Sequence, residues 1–181
     1  MYSMSHEDVT AILIQFAKYG LRKTSMEDIA RASGLSRQTV YNRFGSKEGA
    51  FKWTLQTFIG QIFETARAEL DPAIEAPEEA LLAAYQRWIG DFVEILTNHD
   101  HGMEILDLAV QSSEDTTKDT EHAFAQAITD FFISSGLASS PQIASDMSYA
   151  LSVAAKGVML KSRTSAEFEE NMRRVISVVA R

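Results

Sequence analysis

The stretch from Thr24 to Phe51, TSMEDIARASGLSRQTVYNRFGSKEGAF, decides how the first part of this chain folds. Apolar residues recur at helical spacing on both sides of Gly34, which predicts two short helices joined by a sharp turn. Thr24 followed by Glu27 matches the capping-box pattern for the start of the first helix. Ser36 is placed to cap the second helix through its hydroxyl.

The side chains around the turn follow the pattern of a helix-turn-helix. Ala30 is small enough for the two helices to cross closely, and Val40 and Phe44 bring one face of the second helix back to the core. In a DNA-binding helix-turn-helix, the other face of the second helix enters the major groove. We expect the following residues to contact DNA: Thr24, Ser25, Ser36, Arg37, Gln38, Thr39, Tyr41, Asn42 and Lys47.

The residue types on the outer face of the second helix suit base recognition. Arginine pairs with guanine, glutamine and asparagine pair with adenine, and threonine contacts the thymine methyl group. Tyrosine and threonine hydroxyls also bond phosphate oxygens, and Lys47 would meet a phosphate at the start of the next helix. The alternative is a helical hairpin whose polar face is only solvated. The small residue, the glycine and the apolar positions at matched offsets favour DNA binding.

This segment resembles the DNA-binding domain of the TetR family of transcriptional regulators, over about the first quarter of the chain. The resemblance implies an all-α, nine-helix fold with a DNA-binding domain at 1–46 and a ligand-binding and dimerisation domain at 47–181. It also implies a homodimer on a palindromic operator, most often as a ligand-responsive repressor. The residues that carry the resemblance are Thr24-Ser25-Met26-Glu27-Asp28-Ile29-Ala30, Gly34-Leu35-Ser36, Val40-Tyr41, Phe44 and Ser46-Lys47-Glu48.

The charge of the chain is unevenly distributed. Net charge is −8 over 181 residues, which by itself argues against a DNA-binding protein. Residues 1–53, however, hold eight Lys and Arg against five Asp and Glu, a net of +3, whereas the remaining nine basic and twenty acidic residues give −11. A basic head on an acidic body attracts phosphate at one end only.

Cysteine and long apolar runs are both missing from the sequence. The first absence excludes disulfides and thiolate metal sites. Without a secretory signal or a membrane-spanning run, we expect a cytoplasmic protein that does not enter a membrane. Three prolines and nine glycines favour long helices over a sandwich of short strands.

Periodicity and capping signals divide the chain into nine helices. The first is expected over Ser5–Tyr19 and the fourth over Lys47–Leu70. A fifth begins at Pro77 and is apolar nearly all round as far as Leu96, which predicts burial on most sides. The polar stretch Ser113–Asp119 is expected to be a loop between the sixth and seventh helices.

The last two helices carry apolar stripes that include small residues. The family resemblance implies that they form a four-helix interface with a second copy of the chain, and twofold dimers are the commonest oligomers. The alternative is an ordinary pair of core helices. The residues predicted for the interface are Leu151, Ala155, Val158, Met159, Met172, Val175, Ile176 and Val179.

An aromatic cluster in the middle of the chain is a candidate ligand pocket. Its alternative is an ordinary aromatic core. Residues 54–136 contain only three basic residues against sixteen acidic ones, so a bound ligand is expected to be small, apolar and neutral or cationic. The residues predicted to line the pocket are Phe58, Ile62, Tyr85, Trp88, Phe92, Met103, Phe124 and Phe131.

Other functions find little support in the residues. His99 and His101 stand two apart in an expected loop and point in different directions, so we expect no metal site. No nucleophile elbow or glycine-rich phosphate loop is present, and we expect neither an enzyme nor a cofactor. Three alternatives stay open: an activator, a regulator without a ligand, and a helical binding protein or enzyme whose head no longer reads DNA.

Overall fold

The computed structural model describes residues 4–73, 76–111 and 116–180. Over these residues the chain is helical, without strands, which confirms the all-α prediction. The helices are α1 (His6–Lys23), α2 (Met26–Ala32), α3 (Arg37–Phe44), α4 (Lys47–Ala68), α5 (Pro77–Trp88), α6 (Val93–Thr97), α7 (Gly102–Gln111), α8 (Thr116–Ser134), α9 (Pro141–Lys161) and α10 (Ser165–Val179).

The predicted fifth helix is broken in the structure. It ends at Trp88, and Ile89 leaves helical geometry at φ −133° and ψ −49°. A single 3-10 turn over Gly90–Phe92 then leads into α6. The apolar pattern runs through this break without interruption, so periodicity alone could not reveal it.

The loop predicted between α7 and α8 is shorter than expected, because α8 already begins at Thr116. The rest of that prediction, residues 113–115, lies outside the described residues.

The chain forms two compact units. The first comprises residues 1–61 and 95–117, and the second comprises residues 62–94 and 118–181. α4 begins in the first unit and ends in the second. These units are defined by packing, whereas the predicted boundary after residue 46 is a division of function, and that division stays a prediction.

In the first unit, the end of α1 bends at Gly20, which has φ +74° and ψ 161°. The loop before α7 docks on this bend, where the backbone N–H of His101 donates to the carbonyl oxygen of Ala17 at 2.9 Å. The His101 ring fills the space beside Gly20, and its Nδ1 lies 2.5 Å from a carboxylate oxygen of Glu104. α1 is thereby fixed just before the segment that enters α2.

In the second unit, α5, α8, α9 and α10 enclose an aromatic core. The ring of Phe124 stacks on Trp88 at 4.6 Å between centroids and meets the edge of Tyr85 at 5.4 Å. Ser140 and Thr164 cap α9 and α10 through their side chains. The loop between α9 and α10 is only three residues long, so the two helices pack as an antiparallel pair.

No helix among the described residues is long and apolar enough to cross a membrane.

Replacing Gly20 with alanine should destabilise the protein. The backbone region that Gly20 occupies is one that other residues adopt at a cost of about 1–3 kcal/mol, and an added Cβ would meet the His101 ring at 3.0 Å. In urea unfolding, the free energy of unfolding should fall by at least about 1–3 kcal/mol. Gly60→Ala is the control: that glycine lies inside α4 with open space around it, so alanine should raise stability by roughly 0.5–1 kcal/mol. Equal stability of the Gly20→Ala protein and wild type would contradict the assignment of the bend.

Candidate nucleic-acid interface

The start of α2 is fixed by a capping box one residue later than predicted. Ser25 Oγ accepts from the Asp28 backbone N–H at 3.2 Å, and the Ser25 N–H donates to the Asp28 carboxylate at 3.0 Å. Hydrogen bonds from the Ser25 side chain and backbone hold the pKa of Asp28 below its usual value. Stability from this box is therefore present above the unfolded pKa of the aspartate and is lost as the pH falls through the lowered value.

Thr24 has a structural role instead of the predicted capping role. Its side chain is 2% exposed, and its hydroxyl donates to the carbonyl oxygen of Gly20 at 2.8 Å. Thr24 thus caps the end of α1. Glu27, which was predicted to complete the capping box with Thr24, takes no part in the cap of α2. Because Thr24 is buried and its hydroxyl hydrogen is used within the chain, the structure offers no support for a contact of its side chain with DNA, and that contact stays a prediction.

The turn and the second helix of the motif form as predicted. Gly34 adopts φ +66°, which glycine tolerates without steric cost. Ser36 caps α3 by accepting from the Thr39 backbone N–H at 3.1 Å. Val40 and Phe44 are buried and bind α3 to the rest of the first unit.

The opposite face of α3 is exposed and carries the predicted base readers. Arg37, Gln38, Thr39, Tyr41 and Asn42 are all exposed, and so are Ser25 and Ser36 at the two helix caps. Several of the polar groups have partners within the chain. The Gln38 amide donates to the Asn42 side-chain oxygen at 3.0 Å, and the Thr39 and Ser36 hydroxyls lie 2.8 Å apart. One helix face therefore presents arginine, glutamine, asparagine and threonine side chains together.

Lys47 stands at the beginning of α4, half-buried. Its ammonium donates to the carbonyl oxygen of Arg22 at 2.7 Å, which ties α4 to the last turn of α1. An ammonium has two further N–H groups. Lys47 therefore holds two elements of the head together and still has donors for a phosphate.

Arg43 near the end of α3 is a supporting residue that the sequence pattern did not single out. Its guanidinium lies 4.8 Å from the ring centroid of Trp53 on α4 and 5.7 Å from that of Phe44. Such cation–π contacts stabilise by about 0.5–1 kcal/mol at exposed sites. The contact pins the end of α3 to α4. Nothing in the spacing of two residues on different helices could have revealed it.

Five of the eight residues predicted for the dimer interface are buried inside the chain itself, so their place in an interface stays a prediction. Burial of these residues within the second unit is compatible with the alternative of a core helix pair. Val158, Val175 and Val179 are half-buried. The five residues are Leu151, Ala155, Met159, Met172 and Ile176.

A different stripe on α9 is apolar and exposed. Tyr149, Val153 and Leu160 are 73%, 54% and 64% exposed, and Val178 on α10 is 68% exposed. At 3.6 residues per turn, the three α9 residues point within about 40° of one another. They occupy the centre of the face that lies opposite the buried stripe of α9.

The predicted pocket residues are divided between the two units. Phe58 and Met103 belong to the first, where Phe58 is buried beside the ring of His6 and Met103 is exposed. The other six belong to the second unit: Ile62, Tyr85, Trp88, Phe92, Phe124 and Phe131.

Two features of the second unit bear on ligand chemistry. Burial raises the pKa of Tyr85 to about 12, and a hydrogen bond between the Tyr85 and Ser152 hydroxyls opposes this shift only in part, so the Tyr85 hydroxyl stays neutral. Arg87 is already paired with Asp91 at 2.9 Å and Glu69 at 3.0 Å, and these hydrogen bonds, Asp91 first, raise its pKa. The guanidinium is therefore committed to carboxylates of the chain.

Comparison with known proteins identifies the head and the fold. Residues 9–52 match the family model of bacterial regulatory proteins of the tetR family. The chain is 31% identical over 67 residues to the HTH-type transcriptional regulator AlkX of Mycobacterium tuberculosis, over 37% of this chain and 32% of that protein. The match thus spans about a third of the relative's length.

Solved structures agree with this chain over nearly its whole length. A TetR transcriptional regulator from Streptomyces coelicolor superimposes with a TM-score of 0.69 at 24% identity, covering 97% of this chain and 98% of the other. A candidate transcriptional regulator from Saccharomonospora viridis, in complex with choline, gives a TM-score of 0.60 at 16% identity over 94% of each chain. The predicted nine-helix TetR-like fold is confirmed apart from the break before α6. The head of the chain thus matches the tetR family model over residues 9–52, and the chain shares the fold of solved TetR regulators over nearly its whole length.

Proposed function

We propose that this protein regulates transcription as a homodimer that binds a palindromic operator through α3, acting as a repressor that a small ligand releases. The observation that carries the proposal is the exposed face of α3, with Arg37, Gln38, Thr39 and Asn42 side by side on a helix held by Val40 and Phe44. Two such helices in a twofold dimer would enter successive major grooves. The AlkX relative is a regulator with the same type of head.

The exposed apolar face of α9 is the proposed dimer interface. Tyr149, Val153 and Leu160 would leave water on association with the same face of a second copy, as an isologous twofold contact requires. Single exposed apolar residues are ordinary, whereas a row of them on one helix face marks an interaction surface.

The proposed ligand is neutral or cationic and apolar. Tyr85 and Phe124 are buried against each other, whereas Trp88 is half-buried, so the proposed ligand cation lies against the Trp88 ring. Arg87 is occupied by Glu69 and Asp91, and Arg67 by Glu64, so neither stands ready for an anion. The Asp91 carboxylate is neutralised by Arg87 and is not counted as a partner for a ligand cation. The choline complex of the Saccharomonospora viridis protein shows that a quaternary ammonium is bound by one protein of this fold.

The roles of Arg37 and Lys47 can be separated on an operator selected from a random duplex pool. Arg37→Ala should cost roughly 1–3 kcal/mol per half-site and relax base preference at one position. Lys47→Ala should weaken all duplexes alike and lower the slope of log K against log salt by about one per head. Fluorescence anisotropy at several salt concentrations measures both. Loss of base preference in Lys47→Ala with an unchanged salt slope would contradict this division.

Val153→Glu should produce a folded monomer, because an unpaired charge in a desolvated interface is strongly unfavourable. We expect at least tenfold weaker association in sedimentation, with unchanged helical circular dichroism. Ala155→Glu is the contrasting variant: Ala155 is 0% exposed, so a charge there should unfold the second unit instead. A Val153→Glu protein that sediments as the wild-type dimer would exclude this face as the interface.

Ligand charge can be tested with three compounds of similar shape: phenyltrimethylammonium, tert-butylphenol and tert-butylbenzoate. The cationic and neutral compounds should raise the melting temperature and release the protein from DNA, whereas the anion should do neither. Trp88→Leu should weaken the response to the cation more than that to the phenol, because the cation loses an aromatic face. If the benzoate alone were active, the charge argument would fail.

A further inference from the structure

Arg37, the first residue of α3, has a partner on the preceding helix. Its Nη1 lies 3.3 Å from a carboxylate oxygen of Glu27, in the first turn of α2. The two side chains are 63% and 56% exposed, so the pair forms on the surface that would face DNA. Glu27 has no part in the cap of α2, which Ser25 and Asp28 form between them.

A carboxylate at this place is unfavourable for DNA binding as such, since it adds negative charge beside phosphates. Its partner, however, is the side chain best suited to reading guanine. A guanidinium carries five N–H donors in a planar fork. With Nη1 paired with Glu27, the other N–H groups of the fork suffice for the two acceptors on the edge of a guanine. Arg37 can therefore maintain its ion pair with Glu27 while it contacts a guanine.

Contact with a phosphate instead of a base has a different consequence for the pair. A phosphate draws the guanidinium toward the backbone of the duplex and replaces the carboxylate as its anionic partner. Without a guanine in the groove, no base contact compensates for the broken ion pair between Arg37 and Glu27. The ion pair consequently opposes the non-specific mode of binding more than the specific one.

We propose that Glu27 is a specificity-determining residue, which positions Arg37 for guanine and restrains it from phosphates. This rests on the proposed function, in which α3 reads operator DNA. Glu27 acts through Arg37 and touches no base itself. Its effect is a difference between two affinities, so it appears in the ratio of operator binding to random-duplex binding.

The experiment compares wild type, Glu27→Gln, Arg37→Ala and the double variant on the selected operator and on a random duplex of equal length. Glu27→Gln should bind the random duplex about two- to five-fold more tightly per head, the range expected for an exposed ion pair, with operator affinity changed less than two-fold. The ratio of the two affinities should fall accordingly. In the Arg37→Ala background, Glu27→Gln should leave this ratio unchanged, because the positioned side chain is gone.

Glu7→Gln is the matched control, since it removes the same charge in the first turn of α1, at the end of that helix away from α2. It should leave the ratio at the wild-type value. Operator and random duplex tightening equally in Glu27→Gln, or a loss of ratio that persists in the Arg37→Ala background, would overturn the role of Glu27. A wild-type protein that selects no operator at all would instead refute the proposed function.

Discussion

A helix of eight residues does not hold together in water by itself, and this constraint governs the whole head. α3 exists because Val40 and Phe44 are buried on one side, Ser36 caps its start, and Arg43 rests on Trp53 at its end. Trp53 of α4 contacts both Phe44 and Arg43, so the end of α3 rests on one side chain of the next helix. The remaining face is left to polar side chains, so recognition chemistry and folding are divided between opposite sides of one short helix.

Local signals made most of the head predictable from its sequence. Gly34, Ser36, Val40 and Phe44 each occupy the position that its chemistry predicts. The capping box could not be assigned uniquely, because both Thr24 and Ser25 precede an acidic residue by three positions. Burial of Thr24 against the bend of α1 decides between them, and that bend depends on a loop almost eighty residues later in the chain.

Periodicity fails for a helix that is apolar on two faces, as α9 shows. Leu151 and Ala155 recur at the same spacing as Tyr149 and Val153, and nothing in the sequence says which row meets the helix's own core. The same difficulty affects the pocket: an aromatic residue lining a cavity and one filling a core give identical patterns. The contact of Arg43 with Trp53 and that of Glu27 with Arg37 were missed for a simpler reason, because the two partners lie on different helices.

The central claim is that the exposed face of α3 reads base edges in the major groove of DNA. Methylation interference on a selected operator tests it directly, because a methyl group on guanine N7 blocks the acceptor that an arginine needs. We expect interference at guanines in two symmetric half-sites on one face of the duplex, separated by about one helical turn or a multiple of it. Binding that tolerates methylation at every guanine N7 would contradict it.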